Sequence, residues 1–504
     1  MVFNHNFIKT TQSSFLHTHP WSDDDHPKEE CGVFGIANHS DASAHCALGL
    51  HALQHRGQEA AGIVTFDGEL FYTHHALGLV GDNFNTPNVI HRLKGNHAIG
   101  HVRYSTAGGS FLRNIQPVFA ELSIGGVAIS HNGNLTNANS IRRHLVARGC
   151  IFQSTMDTEI IIHLIAVSNQ SSFLEKLTES LQKIQGAYSL VILTTQGLYG
   201  VRDPHGVRPL VIGKLGHSYI LASETCALDI IGADFIRDVA PGEIVFIDSQ
   251  NQIHSHFPLP KQSPRFCIFE YIYFARPDSL IEQHHVYKVR KAIGAELAIE
   301  SHVDADLVVP VPDSGVPAAM GYAAQAGLPF ELGIIRNHYV GRTFIEPTDQ
   351  VRHLGVKLKH NANANLLEGK SVILVDDSIV RGTTSGKIVD MVRLAGAKNV
   401  HLRIASPPTT HSCYYGVDTP EREKLMAAQL SIPEMAKHIG VDSLAFISLD
   451  GLYRAVGQTK RDPTAPRYCD ACFTGEYPIE LIDKQEDINP IHTHVITESV
   501  KNFK

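Results

Sequence analysis

Short runs of apolar, β-favouring residues recur along this chain, and each runs into a polar group with chemical capacity. Ser371-Val372-Ile373-Leu374-Val375 gives way to Asp376-Asp377-Ser378, then to Gly382-Thr383-Thr384-Ser385 and the amphipathic stretch 387–392. That order predicts strand, polar loop and helix. Residues 307–311 predict a second strand, followed by Pro312-Asp313-Ser314-Gly315 and a small-residue helix through Ala324. Residues 277–301 carry helical spacing, so the second half predicts a parallel sheet with helices on both faces. In the first half, apolar runs end at His55-Arg56-Gly57-Gln58-Glu59, His101-Val102-Arg103-Tyr104-Ser105-Thr106 and His131-Asn132-Gly133-Asn134-Leu135. Strand ends are where sites sit. Polar segments punctuate the pattern, and a junction is expected near residues 250–264. The expected divisions are a leader 1–30, domains 31–260 and 261–480, and a polar, loosely held tail 481–504. No internal repeat, heptad pattern or low-complexity tract is evident.

Composition narrows the classes. At 504 residues with 43% hydrophobic and 19% charged positions, the chain fits a two-domain globular enzyme. A net charge of −8 argues against a general nucleic-acid surface, while leaving room for local basic loops that hold an anionic substrate. No apolar run approaches the roughly 18 residues of a membrane span. The first thirty residues lack the basic start and apolar stretch of a secretory signal, so a cytoplasmic protein is expected.

Cys31 opens Cys31-Gly32-Val33-Phe34-Gly35-Ile36 directly after Lys28-Glu29-Glu30. Trimming before it would free an α-amine of pKa about 7.7 to 8.0, a base carried by the nucleophile's own residue. An arginine fork matches a carboxylate, an aspartate complements an ammonium, and a side-chain amide beside a glycine N–H makes a donor pair for an oxyanion. Together the motifs resemble the glutaminase domain of the N-terminal-nucleophile amidotransferases. The resemblance implies a four-layer αββα fold, with Cys31 as nucleophile and Asn132 and Gly133 as oxyanion hole. It implies that Arg103 and Asp157 hold the glutamine carboxylate and amine. His101 and His131 are read as structural hydrogen-bonders.

The 371–392 block lacks the Gly-Lys-Ser/Thr ending of a Walker loop. Its paired carboxylates suit ribose hydroxyls and a hard cation, and its hydroxyl cluster suits a phosphate at a helix start. It resembles the phosphoribosyl pyrophosphate signature of type I phosphoribosyltransferases, an α/β fold with a parallel sheet. That resemblance implies substrate contacts from Asp313, Ser314, Asp376, Asp377, Ser378, Arg381, Gly382, Thr383, Thr384 and Ser385. It implies Mg2+ at Ser314, Asp376 and Asp377, with a cis peptide between Asp313 and Ser314. The segment from Arg336 through Gly341 to Arg352, Lys357 and Lys359 is expected to form a lid.

Of eight cysteines, Cys469 and Cys472 have ligand-pair spacing. Spacing alone admits zinc or an iron–sulfur cluster. The whole chain from Glu29 to about Pro478 resembles the glutamine phosphoribosylpyrophosphate amidotransferase family, in its leader-bearing, cluster-containing subgroup. That resemblance adds Cys267 and Cys413 to complete a [4Fe-4S] ligand set. It also implies a homotetramer, inhibition by purine nucleotides, and transfer of glutamine nitrogen to phosphoribosyl pyrophosphate. Three alternatives stand beside it: a non-catalytic sensor of the sugar pyrophosphate, a transferase acting on a hexose phosphate, and an iron–sulfur redox sensor. The first has no need of the Cys31, Arg103, Asn132 and Asp157 set, the second has none for Asp376-Asp377, and in the third the catalytic residues would be relics.

Overall fold

The computed structural model describes residues 31–104, 112–337 and 360–485. The expected leader, most of the expected lid and the tail beyond 485 lie outside those residues. The first half is built on two antiparallel sheets. One has seven strands in the order Asp234–Asp238, Val211–Leu215, Ser218–Ala222, Gly32–Ala37, His97–Arg103, Ala60–Phe66, Phe71–Leu77. The other has six, in the order Ile253–His256, Ile244–Asp248, Gly197–Arg202, Gly186–Thr194, Gly125–Leu135, Val118–Leu122.

Side-chain alternation explains the layering. Along Gly32–Ala37, Val33 and Ala37 face the second sheet and pack with Ala128, Val191 and Leu198. Phe34 and Ile36 point the other way, onto the helix Ala42–Ala52. All six residues are buried, because a strand covered on both faces needs no polar side. The second sheet is covered in turn by Thr158–Val167 and Phe173–Leu181 through Ile161, Ile165, Phe173 and Leu177. Helix, sheet, sheet, helix is the αββα arrangement.

The second half holds a four-stranded parallel sheet in the order Leu307–Pro310, Ser371–Asp376, Asn399–Ile404, Ser443–Phe446. Period-two alternation sorts its strands between two cores. Val308, Ile373 and Val375 pack beneath the helices Val286–Ser301 and Val316–Ala326. Leu307, Val309, Val372 and Leu374 pack beneath Thr383–Leu394 and Ile432–Ile439. A parallel sheet with helices on both faces is the α/β fold the sequence predicts.

Four local features differ from the sequence reading. The helix expected from residue 277 begins at Val286. Before it, Leu280–Ile281 pairs with His284–His285 across a turn in which Glu282 and Gln283 take φ values of 48° and 64°. Part of the polar segment read as the junction is a strand, Ile253–His256, on the edge of the second sheet. Polar residues suit it because an edge strand faces water. The non-proline cis peptide lies between Pro312 and Asp313, one residue earlier than expected. At the tail, Ile482–Gln485 is a short helix, and Asp483 accepts hydrogen bonds from the backbone N–H groups of Asn139 and Ser140 at 2.7 and 3.0 Å. These two amides open the helix Ala138–Ala147 in the first half, so this part of the tail is held rather than loose.

Candidate functional sites

Cys31 precedes the central strand Gly32–Ala37, and its thiol donates to the Tyr104 carbonyl at 3.5 Å. Burial pushes the thiol up to about 11, Arg103 pulls it down, and Asp157 and Glu59 push it up. Three sequence-predicted residues from distant segments therefore act on one another across a single site. A thiol at that level is protonated near neutral pH, and a carbonyl accepts a hydrogen bond without being able to take the proton. Attack requires a base brought to the sulfur.

Arg103 ends His97–Arg103, is 3% exposed, and is pulled down by burial against the attraction of Cys31 and Glu59. Across the sheet interface, His101 Nε2 donates to the His131 carbonyl at 3.1 Å. This bond joins the strand bearing Arg103 to the strand bearing Asn132 and Gly133. Asn132 is fully buried, and neither its Oδ1 nor its Nδ2 has a hydrogen-bond partner among the described residues. An unmet buried amide costs about 1 to 3 kcal/mol, so this group retains unused hydrogen-bonding capacity among the described residues. Gly133 has φ +143°, and a Cβ there would lie 2.0 Å from the Ala187 carbonyl oxygen. Only glycine leaves the backbone where it is.

Asp157 caps Thr158–Val167 and accepts from the Leu135 N–H at 3.0 Å, with His131 Nδ1 at 3.5 Å. Burial pushes its carboxyl up, but His131 and the Leu135 and Thr158 amides outweigh burial and hold it below the usual range. Arg142 fixes the preceding loop by donating to the carbonyls of Ser154 and Met156 at 3.0 and 2.6 Å. A partly buried anion thus stands ready for a cationic ligand group.

The second site forms where two parallel strands end side by side. Asp376 and Asp377 are 2% and 1% exposed, the Asp377 N–H donates to Asp376 Oδ1 at 2.9 Å, and Ser378 Oγ donates to Asp377 Oδ1 at 2.7 Å. Gly382 then turns the chain at φ +78° into Thr383–Leu394, which opens on Thr383, Thr384 and Ser385. A twelve-residue helix start is a ready anion cradle. From the neighbouring strand, Asp313 pairs with Arg336, and Ser314 precedes the helix Val316–Ala326. Arg381 and Thr383 are exposed. Lid residues 338–359 lie outside the described residues.

Cys267, Cys413, Cys469 and Cys472 line one pocket with Phe269, Phe274, Tyr415 and Val417, and none forms a disulfide. Cys267 and Cys469 are brought together by parallel pairing of Phe266–Cys267 with Tyr468–Cys469. Burial pushes Cys267 up to about 11 and lifts Cys469 and Cys472 well above the ordinary thiol value. Four converging thiols in an apolar pocket suit a group that accepts four thiolates and supplies the compensating positive charge. Among the described residues, no three ligating side chains come together as a single-ion cage.

A buried ion network escaped the sequence reading. Arg56, 1% exposed, donates through Nε to the Cys31 carbonyl at 3.2 Å and through Nη1 to Glu224 at 2.6 Å. Its Nη2 reaches Glu270 at 2.8 Å. Glu224 also takes His55 Nε2 at 2.7 Å and Ser279 Oγ at 2.7 Å. Near the second site, Arg290 donates to three carbonyls, of Tyr271, Tyr273 and Ala275, and burial pulls it down to about 10 against the attraction of Asp377. The available signal was a charge inside an apolar run, as Glu270 stands in Phe269-Glu270-Tyr271-Ile272. Its partner lies 214 residues away.

Comparisons with known proteins agree with this geometry. Residues 101–229 match a glutamine amidotransferase domain model and residues 285–419 a phosphoribosyl transferase domain model. The chain is 56% identical over 467 residues to the amidophosphoribosyltransferase of Rhizobium etli, covering 92% of this chain and 94% of that protein. It is 47% identical over 454 residues to the amidophosphoribosyltransferase of Bacillus subtilis, covering 90% and 95%. The solved glutamine phosphoribosylpyrophosphate amidotransferase of B. subtilis, complexed with ADP and GMP, superposes with a TM-score of 0.85 at 46% identity. That superposition covers 90% of this chain and 98% of the solved one.

Proposed function

The chain belongs to the amidophosphoribosyltransferase family and catalyses the first committed step of purine synthesis; from that premise we propose how its residues divide the work. Cleavage before Cys31 removes residues 1–30, and the freed α-amine takes the thiol proton. The thiolate attacks the glutamine side-chain amide to form a glutamyl thioester and release ammonia, and water then releases glutamate. Arg103 holds the substrate carboxylate, Asp157 its ammonium, and Asn132 with the Gly133 N–H receives the developing oxyanion. The unpartnered, fully buried Asn132 amide supports this reading most strongly.

In the second domain, proposed to span 261–480 after a first of 31–260, Asp376 and Asp377 grip the ribose, and Thr383, Thr384 and Ser385 hold its phosphate. Ser314, Asp376 and Asp377 would hold Mg2+, which neutralises charge on the pyrophosphate leaving group. Asp313, Ser378, Arg381 and Gly382 complete the cradle. Ammonia displaces pyrophosphate at C1 to give 5-phosphoribosylamine. Ammonia in neutral water is mostly ammonium, so an enclosed passage under a closed lid keeps the nucleophile unprotonated.

Cys267, Cys413, Cys469 and Cys472 fit a [4Fe-4S] cluster serving a structural or oxygen-sensing role. The protein is proposed to be a cytoplasmic homotetramer inhibited by purine nucleotides that compete for the phosphate loops. Among the described residues no helix is long and apolar enough to cross a membrane. The test is pyrophosphate release with glutamine and then with ammonium salts. Wild-type protein should use both and Cys31→Ser, with its leader removed, only ammonia. Glutamine-driven release by Cys31→Ser would refute the assignment.

A further inference from the structure

The four-cysteine pocket and the glutaminase site share a loop. Cys413 faces the thiol pocket, and three residues later Gly416 meets the other site. A Cβ on Gly416 would stand 3.0 Å from both Cα and C of Gly133 and 3.2 Å from its carbonyl oxygen. Those are backbone atoms, which cannot swing aside as the end of a flexible side chain would. Gly416 also has φ +112°, a conformation that side chains with a Cβ rarely adopt.

The loop between is tied down on both sides. Asn134 Nδ2 donates to the Tyr414 carbonyl at 2.9 Å, joining the residue after Gly133 to the residue after Cys413. Arg208, fully buried, donates through Nε and Nη2 to the Tyr415 carbonyl at 2.8 and 2.7 Å. The Tyr415 hydroxyl donates to the Ile479 carbonyl at 2.7 Å. Thus the backbone of Gly133 is backed, at van der Waals distance, by a clamped segment of the other domain.

We propose that Gly416 is a positioning residue for glutamine hydrolysis: the 413–416 loop, pressed against Gly133, sets where that residue's N–H meets the oxyanion. This rests on the reading of Cys31 and Gly133 given above. An oxyanion donor acts on charge that exists only in the transition state, so its displacement lowers kcat and leaves KM nearly unchanged. A shift of a few tenths of an ångström at a reacting centre is worth about 10-fold in rate.

The test uses the processed full chain carrying Gly416→Ala. Glutamine hydrolysis should lose about 10-fold in kcat, with KM for glutamine within about 2-fold, as expected for a lost transition-state contact. Ammonia-driven synthesis and metal content should match the parent and so report an intact second domain. Should Gly416→Ala fail to fold, Asn134→Ala decides, because it removes the tie to Tyr414 without adding bulk and should give the same split with a smaller loss. An unchanged kcat, a change confined to KM, or parallel loss of both activities would each overturn the positioning role. Cys31→Ser in the same assays keeps the two readings apart. If it still hydrolyses glutamine, the nucleophile assignment fails; if it does not while Gly416→Ala is silent, only the positioning role falls.

Discussion

The two sites of this molecule solve opposite problems, and their burial shows it. At the first site, Arg103, Asn132 and the Arg56–Glu224–Glu270 network, which reaches it from both halves, are almost wholly removed from solvent. Their order is fixed before any ligand arrives. In the second half Asp376, Asp377, Ser378 and Ser385 are buried, while Asp313 and Arg336 are about half exposed and Arg381 and Thr383 are exposed. An amide substrate with no net charge brings no counter-ion of its own, so its site must be preorganised around fixed charges and donors. A polyanion brings charge and a counter-cation, so loops and a helix start suffice to receive it.

If the sites are that separable, Cys31→Ala should break one and spare the other. It is expected to lower glutamine-dependent turnover by at least about 10⁴-fold, with ammonia-dependent turnover within about 2-fold, measured on one preparation. Asn132→Ala should lower the glutaminase kcat by about 10²- to 10³-fold. Because its amide has no partner among the described residues, urea denaturation should show stability equal to the parent or higher. A matching loss of stability would mean the amide is structural. Asp377→Asn should weaken use of the sugar pyrophosphate by about 10- to 100-fold in kcat/KM, the worth of a charge-assisted contact, and leave the KM for glutamine alone.

The first half should also respond to pH. Burial pushes His97 down to about 4 and His101 to about 3, both in the first half. The unfolded chain takes up these protons from about pH 6.5 downward, before the folded chain does. Stability is therefore complete above about 6.5 and is lost as pH falls toward the folded values, at about 1.4 kcal/mol per pH unit for each fully titrating histidine. His101→Gln should flatten urea midpoints between pH 6.5 and 4. An unchanged slope would contradict the buried neutral imidazole.

What the sequence made legible was local. Cys31, Arg103, Asn132 and Asp157 each sit in a short motif on or beside a strand or helix, although Asn132 lies within the strand Gly125–Leu135 rather than past its end, and the Asp376–Ser385 block is one continuous strand, loop and helix. What stayed hidden was pairing at a distance. Arg56 and Glu270 lie in separate halves, and nothing in either segment names the other. The Leu280–His285 hairpin was missed because its left-handed positions hold Glu282 and Gln283 rather than Gly or Asn, so no turn residue announced it. The edge strand Ile253–His256 was missed because, exposed at a sheet margin, it has no apolar run.

The central claim is that Cys31 acts only as a free terminus whose own amine serves as base. It is tested most directly by reading mass and glutaminase rate on the same sample. The only tryptophan is Trp21, so cleavage before Cys31 also removes indole fluorescence from the chain. Active protein should begin at Cys31 and lack that emission, and preparations retaining residues 1–30 should hydrolyse glutamine in proportion to their cleaved fraction. Full activity in a chain of intact mass, with the indole signal undiminished, would contradict the account.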